Sequence, residues 1–368
     1  MWGAMTSVEE KMLPHIALLG GGIFVRSQYI PRLKEISQTV VLRVIWSRSE
    51  ESAKAAAELA HEFSPNVEYK WGDAGLNDII QDSSIHGVLI VLTAQVQVDI
   101  SLRMLRAGKH VLQEKPAASS LSEAENAMLF YHSLHANFPH RPIWAVAENY
   151  RFEPAFVESQ RLAKEVGDMM SVQVIVESSM NSSNPYFSSS WRRNFAGGFI
   201  LDMGVHFVAG LRMIVGYEVT SISAISRHVD TSLPPPDNVC AVFQLENGCG
   251  GVLVLSVSTR SPKISWRVVG SKGSVETERG IRNGQHGYTV TYSPAGEPPQ
   301  CSFYPFCGVN EELKAFVQDI SQANLKDGEA YEPDPRGTYL EGARDVALVE
   351  AMLESGLKNG ELFHVKKL

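Results

Sequence analysis

Three consecutive glycines, Gly20-Gly21-Gly22, stand directly after the short apolar run Ile16-Ala17-Leu18-Leu19. The residues that follow carry Ile30, Leu33 and Ile36 at three-residue spacing, one face of a helix. A strand that runs through glycines into a helix demands a tight turn and close strand–helix packing, so it restricts the fold more than any other local feature. The alternation then continues. Val40–Trp46 is a β-branched run, Ser49–Glu62 is rich in Ala, Glu and Lys, and Val88–Leu92 is apolar again. Val98, Leu102 and Leu105 follow at i, i+4 and i+7, and Val111-Leu112 leads into Gln113-Glu114-Lys115-Pro116. Ser120 and Glu123 have capping-box spacing and predict a helix to about Ala136, before Ile143–Ala147 closes the series. Strands alternating with helices predict an α/β fold, a doubly wound parallel sheet covered on both faces.

The second half follows a different pattern. Met170–Glu177, Ser221–Arg227, Val239–Leu245, Gly251–Ser258, Ser265–Val269 and Tyr288–Tyr292 are strand-like and come in succession, with Asn247-Gly248 as a hairpin turn. Helical segments are expected at Pro154–Glu165, Gly204–Val215, Glu312–Ala323 and Gly342–Leu357, and Asn181–Ser190 and Pro234-Pro235-Pro236 are expected as loops. This predicts an α+β domain on a mostly antiparallel, open-faced sheet. The expected division is 11–147 for the first domain, 148–335 for the second, and 336–368 as a C-terminal helix packing back on the first.

The length of 368 residues suits two domains. With 33 Lys+Arg against 41 Asp+Glu, the net charge of −8 argues against nucleic acid or an anionic membrane surface as partner, because both need a basic face. No uninterrupted apolar run approaches the roughly 18 residues of a membrane helix. Met1–Lys11 lacks a basic segment followed by an apolar run, so no secretory signal is expected there. Cys240, Cys249, Cys301 and Cys307 are too few and too scattered for a disulfide scaffold or a zinc ribbon. Free thiols point to a reducing compartment, and a cytoplasmic location is the expectation.

Four constellations carry chemistry. Glycines at the first βα turn let backbone N–H groups approach a pyrophosphate, while the helix N-terminus supplies partial positive charge. The small residue usual three positions after Gly22 is Val25 here, which implies a wider helix–strand approach. At the end of the second strand, where an acid selects NAD, the chain has Ser47 and Arg48. Serine removes repulsion against a 2′-phosphate and a guanidinium pairs with it, so NADP(H) is expected in preference to NAD(H). Lys115 follows the fifth strand at its carboxyl end, where ligands of open α/β sheets bind. Asp202 and His206 stand four apart behind Gly197-Gly198 and share a helical face, where a carboxylate and an imidazole can position a hydroxyl and move its proton.

Glu114-Lys115-Pro116, followed far downstream by Gly197-Gly198 with Asp202 and His206, resembles the Gfo/Idh/MocA family of glucose–fructose oxidoreductase, inositol dehydrogenase and relatives. The likeness extends through Gly20–Gly22, Ala107-Gly108-Lys109-His110-Val111, Asn149-Tyr150-Arg151-Phe152, Trp191-Arg192 and the turn Gly270-Ser271-Lys272-Gly273-Ser274. The resemblance implies a Rossmann domain and hydride transfer between a nicotinamide and a carbinol or carbonyl carbon of a sugar, cyclitol or related diol. By the family pattern, Lys115 is the catalytic lysine, His206 the acid/base, and Asp202 the carboxylate that binds a substrate hydroxyl. The cofactor is expected against Gly20, Gly22, Ile23, Phe24 and Thr93 as well as Ser47, Arg48, Glu114 and Lys115. Tyr150, Arg151, Trp191, Arg192 and Arg193 are candidate substrate contacts, and no metal is implied. Where the family commonly reads Thr-Pro-Asn-x-x-His, this chain has Thr93-Ala94-Gln95-Val96-Gln97-Val98. A homodimer or higher assembly is implied through the open-faced sheet. Two other functions fit the same resemblance: a catalytically silent regulator that senses nucleotide or sugar, such as the galactose-regulon repressors of yeasts, and a reductase of a dihydrodiol or tetrapyrrole.

Overall fold

The computed structural model describes residues 13–134, 138, 141–325 and 331–368. The reading of Met1–Lys11 and the expected helix end near Ala136 lie outside them. The strands β1 (His15–Leu19), β2 (Val41–Ser47), β3 (Glu68–Trp71), β4 (Gly87–Ile90), β5 (His110–Glu114) and β6 (Trp144–Ala147) form one sheet in the order β3-β2-β1-β4-β5-β6. All of its pairings are parallel. The order reverses between β1 and β4, which places a crevice at the carboxyl ends of those two strands. Helices α1 (Ile30–Glu35), α2 (Glu50–Ala60), α3 (Gly72–Gln81), α4 (Ala94–Arg106) and α5 (Leu121–Ser133) make the crossovers. Strand β3 and helix α3 carried no clear sequence signal, since β3 has only four residues and none of them is buried. The α5 cap forms as its sequence implies, with Ser120 Oγ accepting from Glu123 N at 3.2 Å.

The second sheet contains β7 (Met169–Ser179), β8 (Val219–Arg227), β9 (Asn238–Leu245), β10 (Gly250–Ser256), β11 (Ser258–Gly270), β12 (Gly273–Arg282), β13 (Gln285–Pro294), β14 (Gln300–Pro305) and β15 (Phe363–His364). Its order is β14-β13-β12-β11-β7-β10-β9-β8-β15, antiparallel except where β10 runs parallel to β7. Helices α6 (Pro154–Ala163) and α8 (Gly198–Val215) pack on it, with the short helix α7 (Ser190–Arg193) before α8. Strands β12 and β14 were not expected. Helix α8 is long and apolar enough to cross a membrane by length and composition, with mean hydropathy 1.6, although 83% of it is buried inside the protein. The four cysteines are all free.

Two segments sit elsewhere than expected. Helix α9 (Gly308–Leu325), assigned to the second domain, buries Leu313, Phe316, Val317 and Ile320 against Ile16, Leu18 and Leu33 of the first. Its apolar stripe matches an uncovered stretch of the first sheet, and chain order alone does not reveal that return. Helix α10 (Tyr339–Leu357) touches α5 and β6 but packs chiefly on β8 and α8, and β15 joins the edge of the second sheet. The C-terminal segment therefore bridges the two sheets.

Candidate active site

The carboxyl ends of β1, β2, β4, β5 and β6 open on one edge of the first sheet, and α8 lies across that edge. A cleft of about 1410 Å³ runs between them. At one end, Gly20 has φ +137°, and a Cβ there would stand 2.5 Å from the Val91 carbonyl oxygen. A Cβ on Gly22 would meet nothing within 4 Å. The turn is therefore tight toward the sheet and open toward the cleft, the shape that admits a pyrophosphate to backbone N–H groups. Val25 is fully buried, and the segment Val25–Tyr29 winds as a π-turn, wider than an α-turn, before α1 begins.

The expected cofactor residues Gly20, Gly22, Ile23, Phe24, Ser47, Arg48, Thr93, Glu114 and Lys115 all line this cleft. Arg48 is exposed and makes no ion pair among the described residues. In the segment that departs from the family pattern, which winds as the first turn of α4, Gln95 faces the cleft and donates through Nε2 to the Trp191 carbonyl at 3.3 Å.

Lys115 begins a cis peptide to Pro116, and its Nζ reaches across to α8. It donates to the Asp202 carbonyl oxygen at 2.8 Å and to Asp202 Oδ1 at 3.1 Å. The other Asp202 oxygen accepts from Arg192 Nε at 2.7 Å. The Arg192 guanidinium lies over the rings of Trp191 at 4.2 Å and Tyr186 at 4.7 Å. Burial alone would raise the Asp202 carboxyl, but the charges of Lys115 and Arg192 outweigh it and hold the group below its ordinary range.

His206 also faces the cleft, but its partner is not Asp202. Although the two share the helix face expected of them, His206 Nδ1 lies 2.7 Å from Glu148 Oε1, directly after β6. Glu148 is fully buried. Burial would raise its carboxyl, but the neighbouring His206, Arg151 and Lys115 lower it instead. The Tyr150 ring stacks on the imidazole at 4.9 Å and 19°. Sequence reading passed over Glu148, yet its place at the carboxyl end of the last strand is where this fold presents ligand-facing groups.

Glu114, expected as a cofactor contact, is joined in the cleft by an acid that was missed, Glu312. Glu114 Oε1 accepts from Tyr29 Oη at 2.8 Å, and burial pushes the Glu114 carboxyl up to about 7. Glu312, on α9, lines the same cleft and is raised well above its ordinary value, first by burial and then by Glu114, Glu148 and Glu153. No local motif marks Glu312, because only the return of α9 to the first sheet brings it here.

Of the candidate substrate contacts, Tyr150, Trp191 and Arg192 line the cleft, whereas Arg151 and Arg193 do not. Arg151 is 4% exposed and forms a buried pair with Asp345. Its charge is neutralised by that pair inside the protein. Arg193 donates to the carbonyls of Phe187 at 3.0 Å and Ser232 at 2.8 Å, so it ties loops together. Among the described residues no cluster of metal-ligating side chains occurs.

The oxidoreductase family with an NAD-binding Rossmann fold matches residues 15–135, and the Gfo/Idh/MocA C-terminal domain matches 161–276. A dehydrogenase of Fusarium mangiferae is 31% identical over 366 residues, covering 95% of this chain and 99% of that protein. The chain belongs to the Gfo/Idh/MocA family. Within it, a trans-1,2-dihydrobenzene-1,2-diol dehydrogenase of Mus musculus is 26% identical over 66% of this chain and 70% of that one. A levoglucosan dehydrogenase solved in complex with NADH superposes with a TM-score of 0.76 at 20% identity, covering 97% of this chain and all of that one. At that identity the likeness speaks for the fold. This Gfo/Idh/MocA protein is thus an oxidoreductase with a nicotinamide-dinucleotide-binding first domain.

Proposed function

We propose that this oxidoreductase moves a hydride between NADP(H) and a carbinol or carbonyl carbon of a polyhydroxylated small molecule. The observation that carries the reading is the meeting of Lys115, Asp202 and His206 at one wall of the cleft, with Lys115 Nζ 3.1 Å from Asp202 Oδ1. A bound nicotinamide supplies or accepts the hydride. The chain's own groups handle charge and protons. The Lys115 ammonium favours negative charge on a substrate oxygen, so it stabilises an alkoxide in either direction. His206, facing the cleft, takes the hydroxyl proton during oxidation and returns it during reduction. Asp202, held ionised by Lys115 and Arg192, accepts a hydrogen bond from a neighbouring hydroxyl and keeps the ammonium in place.

Ser47 and Arg48, which makes no ion pair among the described residues, stand at the end of β2 and support NADP(H) over NAD(H). At the other end, the rings of Tyr150, Tyr186, Trp191, Phe207 and Phe306 line the cleft and support a second substrate reading. They offer flat apolar walls to a sugar ring and equally to an aromatic dihydrodiol, the compound class named for the mouse relative. The regulator reading stays distinct, since a pure sensor has no need of Lys115, Asp202 and His206 together.

For assembly we propose a homo-oligomer through the outer face of the second sheet. That face exposes Ile225 at 53% and Val242 at 57% on adjacent strands. Sedimentation of the full chain checks this, and a monomer at micromolar concentration contradicts it. The function is tested by a screen of sugars, cyclitols and a trans-dihydrodiol with NADP+ and NAD+, read by nicotinamide absorbance. Turnover of a polyol or diol is expected, with NADP+ preferred. Tight cofactor binding with no turnover of any compound would favour the regulator.

A further inference from the structure

Glu148 belongs to none of the motifs that suggested the catalytic groups, and its geometry gives it a task. We propose that Glu148 is the positioning residue of His206, fixing the imidazole with Nδ1 against its own carboxylate and Nε2 toward the cleft, so that Nε2 is the atom that exchanges the substrate proton. The identity of that proton's other partner rests on the oxidoreductase reading above, whereas the carboxylate–imidazole pair stands on geometry.

Three observations converge. The first is the bond itself, 2.7 Å from His206 Nδ1 to Glu148 Oε1, whose carboxylate is fully buried and also accepts from Tyr150 N at 3.2 Å. The second is the clamp on the ring. Tyr150 covers one face of the imidazole at 4.9 Å and is itself held by Phe156 at 5.3 Å and by Trp266 and Tyr288 at 6.0 Å. His206 lines the cleft and keeps 19% of its side chain exposed, and with Nδ1 turned into a fully buried partner it is Nε2 that is left to meet the cleft. The third is that Asp202, the acid one turn earlier on α8, is engaged by Lys115 and Arg192 through its two oxygens. Among these acids, Glu148 is the one that reaches the imidazole.

A neutral imidazole has one N–H, and a carboxylate on Nδ1 selects the tautomer with the proton there. Nε2 is left as a bare lone pair aimed at the cleft. In alcohol oxidation the hydroxyl proton passes to Nε2 while the carbinol C–H electron pair leaves as hydride to the nicotinamide. The imidazolium then sits against an ionised carboxylate, and Glu148 keeps no proton. Carbonyl reduction runs the same transfers backward. The pair also joins the two halves of the molecule, since Glu148 follows β6 of the first sheet and His206 lies on α8.

The test is nitrogen-15 NMR of the full chain labelled at histidine, with His206 identified by the signal missing from His206→Asn. Wild-type protein is expected to show His206 protonated at Nδ1 and bare at Nε2. Glu148→Leu, confirmed folded by circular dichroism, is expected to move the proton to Nε2. Glu148→Gln preserves shape and offers Nδ1 a carbonyl, but it removes the charge that balances the imidazolium. With the best substrate of the screen it is expected to lower kcat on the order of a hundredfold while KM stays within a few-fold. A wild-type His206 protonated at Nε2, or a Glu148→Gln enzyme with undiminished kcat, overturns the proposal. The NMR experiment needs no substrate, so the expected tautomer in a protein that turns nothing over would sink the proposed hydride transfer and leave the carboxylate–imidazole pair standing.

Discussion

At the scale of single residues, the cleft is a set of charges whose neighbours decide their state. Glu114 is held up to about 7 by burial, whereas an unfolded glutamate titrates near the ordinary 4.5. Between those values the folded protein binds more protons than the unfolded chain, so stability falls as pH rises through that window and levels off above it. Glu114→Gln keeps an acceptor for Tyr29 and removes the titration. Its melting temperature, measured at pH 5 and pH 8, should fall less between the two than that of the wild type, and an equal fall contradicts the assignment. Arg48 carries a second prediction. Replacing it with Ala should weaken NADPH binding by about tenfold or more, the value of a charge-assisted hydrogen bond, and leave NADH binding nearly unchanged. Fluorescence titration of both nucleotides checks this, and equal losses would place Arg48 outside the 2′-phosphate site. That Gly20, Arg48, Lys115, Asp202 and His206 line one cleft was legible in the sequence, because each stands at a strand end or on a helix face defined by spacing. Glu148 and Glu312 were not, since their environment comes from elements distant in the chain.

At the scale of elements, α8 carries most of the second unit. It presents Asp202 and His206 to the cleft on one side and Arg212 to the interior on another. Arg212 donates to Asp345 Oδ1 at 2.6 Å and to Glu341 Oε2 at 2.7 Å on α10, and Glu218 accepts from its Nε at 2.7 Å. Arg151 completes the cluster on Asp345, which is 1% exposed. Asp345→Ala would leave two guanidinium groups buried with less compensation, so a loss of about 3–5 kcal/mol is expected from urea unfolding. A loss below about 1 kcal/mol would mean that water or rearrangement replaces the carboxylate. The motif Asn149-Tyr150-Arg151-Phe152 marked the right place for the wrong reason at Arg151, because sequence shows that an arginine follows a strand end but not which way it turns. The strong periodicity of Pro154–Ala163 and Tyr339–Leu357 made those helices legible. Strands β12 and β14 lie toward the edge of a sheet exposed on one face, so their apolar alternation is diluted.

At the scale of the molecule, two links, Lys115 to Asp202 and Glu148 to His206, join the ends of first-sheet strands to helix α8 of the second unit. The α/β and α+β halves were readable from the change of period along the chain, strand–helix alternation giving way to successive strands. The return of α9 to the first sheet, and the packing of α10 chiefly on β8 and α8, depend on surface complementarity and were not readable. In the proposed function, Lys115 serves the chemistry rather than the holding of the nucleotide. The measurement that tests it most directly is NADPH affinity and steady-state turnover of Lys115→Ala side by side, on whichever polyol or diol the wild type accepts. Turnover should be abolished while the NADPH dissociation constant stays within a few-fold of wild type. A Lys115→Ala enzyme that keeps full activity would contradict it.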